Sequence, residues 1–488
     1  MRVRALNAGV AVSAVVISAL AACGGSGGGY SSGGMGSGGM GGGYGGGMNP
    51  PPTVAFTTPA QVTNINLGQA VKLVWSSTYA NSCTASASSA TGGTFTGSQS
   101  ANGQMSVVPT ATGNVTYTLT CTGAGGTMSA TSPAVTVNPS VLSQLASVKP
   151  TTIGSTVDPG NGDGNPYGLA IAPVTAGLIT AGDLVVCNFN NKPPANAQGA
   201  GTTIVGLHPT AGAKPYRIAQ DANLLGCNAV APLADGSIAA AALKANQVPL
   251  VSASGAVTTP FAADGLSQPW GLTFVPASGG KPAALYASDV SGSIDRIALN
   301  GDAQASFTTI ATGFCGSGSP GSIFAPAGLT YDPSIDTLYI VDTSSNSVVA
   351  FANVSAIGAN GIAVNGQCNT VAAPPTPAPS FSGPSAASAR VVAHGGAFIS
   401  PISAALLADG DLIVTNGDVN IGTGQMPNLA IEVSPVLPGG FVGDPVQLDT
   451  SSTPGALFGI AATTDNQGHQ IIYFNDDNTN AVMMVATP

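Results

Sequence analysis

The sequence predicts an all-β protein: a small β-sandwich followed by a β-propeller of six blades, with room for a seventh. Three observations predict it. Runs of alternating apolar and polar residues recur between Gly, Pro and Asx turns, which is the pattern of half-buried strands. A longer unit then repeats along residues 141–488: turn, apolar strand, polar hairpin, second apolar strand, Asx-rich loop, third strand. Finally, only 7% of the 488 residues are charged while 44% are hydrophobic, with 67 Gly and 36 Pro. A disordered chain needs the reverse balance of charge and hydrophobicity.

The chain opens with Arg2 and Arg4, an apolar run from Ala8 to Leu20, and small residues before Cys23. A positive start, an apolar core and a small-residue cleavage site make a secretory signal over residues 1–22. Leu20-Ala21-Ala22-Cys23 resembles a bacterial lipobox. That resemblance implies cleavage before Cys23, lipidation of its thiol, and anchoring to the membrane of the cell envelope. Gly24 stands where an inner-membrane retention signal would place Asp, which points to the outer membrane, on its periplasmic or surface face. Residues 23–52 are otherwise almost all Gly with scattered Ser, Met and Tyr. Such chain is a flexible coil of about 5–6 Å × √n, so it reads as a tether.

Residues 53–138 carry the sandwich. Val71-Lys-Leu-Val-Trp-Ser-Ser77 puts Val71, Leu73 and Trp75 on one face, and Val115–Cys121 repeats the alternation. Thr127–Pro139 reads as a final strand pair. Trp75-Ser-Ser-Thr, Asn81-Ser-Cys83-Thr-Ala and Thr118-Leu-Thr-Cys121-Thr-Gly resemble bacterial immunoglobulin-like domains. The spacing departs from antibody domains: Tyr117 lies four residues before Cys121, not two.

The clearest propeller unit runs from Pro326-Ala-Gly-Leu-Thr-Tyr through Leu338-Tyr-Ile-Val-Asp342-Thr-Ser-Ser-Asn346 to Phe351. Others begin at Pro166-Tyr167-Gly-Leu, Pro269-Trp270-Gly-Leu and Leu457-Phe458-Gly-Ile, with weaker copies near Gly226 and Pro401. Radial repetition of four-stranded sheets is the propeller solution to burying both faces. A strand near Val141–Val148 is expected to close the ring, and residues 352–400 leave space for a seventh blade around a Pro-rich loop, Ala372–Ser388. Leu338–Val348 resembles the NHL-repeat family almost position for position, and the likeness extends more loosely over most of 141–488.

Net charge is −10, from 21 acidic and 11 basic residues, and no basic cluster exists. Nucleic-acid binding, which neutralises phosphates with Lys and Arg, is therefore not expected. With Cys23 taken by lipid, six cysteines remain. In an oxidising compartment they favour disulfides, and their grouping suggests Cys83–Cys121, Cys187–Cys227 and Cys315–Cys368.

In a propeller the turn before strand one and the loop after strand two share a rim. That rim gathers Tyr167, Trp270 and Phe458 with Asn188, Asn190, Asp289, Asp342, Asn416, Asp418, Asn475 and Asp476. Aromatic walls with convergent polar groups suit a ligand site. The structural alternative is that each Asx caps its own loop and the aromatics pack between blades. Asx oxygens also make Ca²⁺ conceivable, there and along Asp158–Asn165. Lactonase propellers resemble this architecture but use a Glu ligand, and the sole Glu, Glu432, falls in a late strand. His208, His394 and His469 fall outside the inner strands, which counts against zinc and against the histidine-dependent lyases that share the NHL scaffold. No Gly-x-Ser-x-Gly, Walker or dinucleotide motif is present. The first reading is a non-catalytic envelope binding or scaffold protein with a protein, peptide or saccharide partner. The second is a divalent-metal hydrolase or lyase working at the Asx rim.

Overall fold

The computed structural model describes residues 49–261, 265–300, 303–319, 322–366, 377–417, 426–450, 453–454 and 456–488. The signal segment, Cys23, the tether to Met48, residues 372–376 of the Pro-rich loop, Cys368 and Asp418 lie outside the described residues.

Strands from Thr53–Thr58 to Val135–Asn138 form three sheets around one core. Alternation does the work: Val71, Leu73 and Trp75 are buried while Lys72 and Ser76 face water. Trp75 packs edge-on against Phe95 at 5.5 Å, and Phe95 against Tyr117 at 5.7 Å. The Cys83–Cys121 disulfide joins directly opposed residues of adjacent strands in the same core. The expected final strand pair is corrected: Gly126–Thr131 and Val135–Asn138 are strands, but they join different sheets.

Among the described residues, six of the seven remaining sheets form a ring of six blades, and the seventh pairs only Ser317–Ser319 with Ser322–Phe324. The inner strands of the blades are Gly164–Ile171, Cys227–Pro232, Pro269–Val275, Pro326–Asp332, Pro401–Leu406 and Ala456–Thr464. Each is the edge strand of its sheet and lines the central axis. The two weak sequence copies are blades 2 and 5.

Two expectations are corrected. Val141–Leu145 is a short α-helix, not the closing strand. Ser140 caps it by accepting the Ser143 N–H, and Val141, Leu142 and Leu145 are buried against blades 5 and 6. The closing strand is Thr151–Ser155, which pairs antiparallel with Ala481–Ala486 and so joins the two ends of the ring. The described part of 352–400 forms no seventh blade. Ile362–Asn365 and Ser380–Ser382 extend blade 3, and Ala389–His394 is the outer strand of blade 4.

The N-terminal module touches blade 5. Asn66 Nδ2 donates to Asp409 Oδ2 at 3.0 Å, and Ser434 Oγ donates to the Gly68 carbonyl at 2.8 Å. Glu432, fully buried on the third strand of that blade, accepts the N–H groups of Val141 (3.2 Å) and Leu142 (2.6 Å). Among the described residues, no helix is long and apolar enough to cross a membrane.

Candidate functional site: the propeller axis

Every inner strand carries a register shift near the axis, at Pro166/Leu169, Cys227/Ala229, Pro269/Leu272, Pro326/Leu329, Pro401/Ser403 and Ala456/Ile460. A bulge removes backbone groups from the ladder, and buried backbone groups need other partners. The preceding blade supplies them. Asn475 Nδ2 donates to the Tyr167 carbonyl at 3.0 Å, and Asn228 Nδ2 donates to the Trp270 carbonyl. Ser288 Oγ accepts the Gly271 N–H and donates to the Ala327 carbonyl at 2.7 Å. Thr343 Oγ1 donates to the Pro401 carbonyl at 2.6 Å. Between blades 1 and 2 the joint is covalent, through Cys187–Cys227. Cys315 is also disulfide-bonded.

At the bulges the blades approach too closely for side chains. A Cβ on Gly271 would lie 1.9 Å from the Ala327 carbonyl oxygen, and one on Gly459 would lie 2.3 Å from that of Tyr167. The Gly of each aromatic-Gly-apolar unit is therefore a packing requirement of the ring.

The rim aromatics do converge. They sit within the inner strands, not in the turns before them. Tyr167 stacks on Phe458 and on Phe189, both at 4.3 Å, and Trp270 lies 6.2 Å from Tyr167. Leu243, Val290, Ala325, Ala327 and Ile402 complete this buried cluster, which closes the axis at that rim. Sequence reasoning missed Phe189 and these aliphatics. The signal available was Phe189's place between Asn188 and Asn190 at the end of the second strand of blade 1, Leu184–Asn190.

The rim Asx residues bond mostly to neighbouring loops and strands. Asn475 bonds to the cluster's own Tyr167 carbonyl, and Oδ1 of Asn188, Asp289 and Asn475 is buried without a partner. Asp342 accepts the Ser344 N–H (3.1 Å) and the hydroxyls of Ser344 and Ser345. Asn416 accepts the Ile399 N–H and donates to the Ala397 carbonyl, both at 3.0 Å. Asp476 accepts from the N–H groups of Asn478 and Thr479. Asn190 bridges Asn196 and Gly199. Asn188 donates to the Thr156 carbonyl and to Thr203 Oγ1, tying blade 1 to the closing segment. Asp289 accepts the Ser267 N–H at 2.8 Å. Burial, with neighbouring Asp295 adding charge repulsion, pushes its carboxyl up to about 7. In the Asp158–Asn165 stretch, Asp158 pairs with Arg217, and Asp163 accepts the N–H and hydroxyl of Thr202. Among the described residues, no group of three His, Cys, Asp or Glu could hold a metal ion.

From the aromatic cluster a channel of about 470 Å³ runs along the axis, lined by all six inner strands. Its lining is buried near Tyr167, Trp270 and Phe458. It becomes half-exposed at Ile171, Phe274, Tyr331, Leu406 and Ala462, so the channel opens on the hairpin rim. Each inner strand turns an unpaired edge of N–H and C=O groups to the axis. Thr273 and Ser403 add hydroxyls to a wall of Gly, Ala, Leu and Ile, whereas Thr330 Oγ1 donates to the Ala404 carbonyl (2.7 Å) and the Tyr331 hydroxyl to Asp336 (3.1 Å). This wall is neutral and rich in hydrogen-bonding groups.

No family model and no curated protein matches the chain. Among solved structures it is similar to a virginiamycin B lyase from Staphylococcus aureus, in a structure with quinupristin. Identity there is 13%, coverage is 70% of this chain and 99% of that one, and the TM-score is 0.39. It is also similar to a gluconolactonase from Xanthomonas campestris (14%, 70% and 96%, TM-score 0.41). A third likeness is to the extracellular domain of a one-component system from B. thetaiotaomicron (10%, 75% and 40%, TM-score 0.35). At these identities none of the likenesses transfers an activity.

Proposed function

We propose that this chain is a lipid-anchored envelope protein whose propeller binds, without catalysis, a short neutral saccharide or peptide segment in its axial channel. The wall of that channel carries the reading: six strand edges and neutral hydroxyls, entered from the hairpin rim. Strand edges recognise extended chains through backbone hydrogen bonds. The lipobox at Cys23, the Gly tether and an immunoglobulin-like spacer support display from a membrane, and the Cys83–Cys121 and Cys187–Cys227 bridges suit an oxidising compartment.

The test compares the full chain with Thr273→Trp, which places an indole in the channel. Both are assayed on glycan and peptide arrays and against ester, lactone and glycoside substrates with and without Ca²⁺. Array binding that disappears in Thr273→Trp, without turnover, is the expected result. Turnover by the purified chain, or binding indifferent to Thr273→Trp, would refute the reading.

A further inference from the structure

A second cavity, of about 410 Å³, opens between blades 3 and 4. One part of its wall is apolar, formed by Val275, Pro276, Ala284, Ala298 and Tyr331, and the rest is polar, with Ser278, Ser306, Asp336 and Ser355. Two of the chain's 11 basic residues, Arg296 and Lys281, also line it. In a protein of net charge −10, two cations at one cavity need a reason.

The guanidinium is held in place. Arg296 Nη1 donates to the carbonyls of Ser355 (3.2 Å) and Ile357 (3.0 Å). Its charge is not answered by a carboxylate: among the described residues the ion pairs involve His208, Arg217 and His469. The cavity's own acid, Asp336, is hydrogen-bonded to two other residues of the lining. Its Oδ1 accepts the Tyr331 hydroxyl at 3.1 Å, and its Oδ2 accepts the Ser355 N–H (3.3 Å) and hydroxyl (2.7 Å). With Asp336 counted, the cavity still keeps one positive charge in excess. Lys281 is exposed at its rim.

We propose that this cavity binds a small organic carboxylate with an aromatic or aliphatic body. A fixed guanidinium matches a carboxylate as a two-point fork. The Pro, Val and Ala walls take up the apolar body, with the partly exposed ring of Tyr331 available for stacking. Lys281 adds a second, solvated charge that draws the anion to the mouth. The proposal stands apart from the channel reading, although Tyr331 lines both spaces.

The probes are 4-phenylbutyrate, its uncharged amide, and inorganic phosphate, titrated calorimetrically into the full chain. The carboxylate is expected to bind and the amide to bind at least about tenfold more weakly, because a hydrogen bond to a charged group is lost. Arg296→Met should weaken the carboxylate by about tenfold to a hundredfold, and Arg296→Lys should not restore it. Lys281→Met, at an exposed position, should weaken it severalfold without touching the fold. Thr273→Trp should leave it unchanged, which separates this site from the channel. The proposal is overturned if the carboxylate does not bind, if acid and amide bind alike, if Lys281→Met and Arg296→Met both leave affinity intact, or if phosphate binds as tightly as phenylbutyrate.

Discussion

Raising the pH should destabilise the joint that seats the N-terminal module and the short helix on blade 5, and Glu432 is the residue that reports it. Burial pushes its carboxyl up to about 7, helped by the nearby charge of Asp409 and opposed by the N–H groups of Leu142 and Val141. Beside it, burial and the charges of Asp409 and Glu432 push Asp411 up to about 8. Asp411 Oδ2 is buried without a hydrogen-bond partner, and a Cβ on Gly68 would lie 2.7 Å from it. Both groups keep protons in the native state that the unfolded chain releases near 4.5 and 3.8. The native state therefore binds more protons across this interval, and stability falls as pH rises. The contribution is full below the ordinary values and is lost through about 7 for Glu432 and about 8 for Asp411. For Glu432 alone, the interval from 4.5 to about 7 amounts to about 3 kcal/mol, at about 1.4 kcal/mol per decade. Urea unfolding of the wild type and Glu432→Gln at acidic and mildly alkaline pH measures it. At low pH, where Glu432 is a neutral acid with one carbonyl acceptor like the amide, the variant should match the wild type to within about 1 kcal/mol. By about pH 8 it should have gained about 3 kcal/mol on the wild type. Other buried acids, including Asp289 and Asp342, shift the same way, so the difference between the two proteins is the quantity to read. A difference that does not change with pH would show that Glu432 is not titrating in the native protein, and the argument would fail.

Two further outcomes test the ring itself. Gly271→Ala should cost at least about 1–3 kcal/mol, because its Cβ meets the Ala327 carbonyl and cannot be relieved by a flexible side chain. Gly358→Ala, with open space around it, should stay within about 0.5 kcal/mol; equal effects in urea melts would contradict the close-approach argument. Replacing Cys187 and Cys227 together by Ala removes a bridge across a sequence separation of 40 residues, which chain entropy values at about 4 kcal/mol. An unchanged urea midpoint would show that the covalent joint between blades 1 and 2 is dispensable.

Much of the ring was legible because each blade repeats the same physical demand. Aromatic-Gly-apolar marks a strand start, a bulge and a close approach in one short string, so Tyr167, Trp270 and Phe458 were recognisable as neighbours on one rim. What that rim does was not legible. Whether Asp342 faces a ligand or its own serines depends on hydrogen bonds a few residues away, and both readings use the same letters. The closing strand was misplaced for a related reason. Val141-Leu-Ser-Gln-Leu145 is too short for periodicity to separate helix from strand, and the Ser140 cap was the available signal. Thr151-Thr-Ile-Gly-Ser155 carries a weak strand pattern that only pairing with Ala481–Ala486 makes decisive. Arg296 and Lys281 stand on different segments of blade 3, and Asp336 on blade 4, so their cavity exists only once the blades are docked.

The two rims of the propeller divide the labour for a chemical reason. On the rim that carries the aromatics, bulges free carbonyls that would be buried unpaired, and Asn228, Ser288, Thr343 and Asn475 are consumed in satisfying them across blade joints. Tyr167, Phe189, Trp270 and Phe458 are consumed in sealing the axis. These engaged groups hold the ring together, while Oδ1 of Asn188, Asn228, Asp289 and Asn475 stays buried on the same rim without a hydrogen-bond partner. The hairpin rim has the opposite character. The channel mouth lies there, with strand edges unpaired along the wall, and the Arg296 cavity opens beside it with a cation that no carboxylate answers. Mutations on the aromatic rim should therefore read out as lost stability, and those at Thr273 or Arg296 as lost binding with stability largely kept.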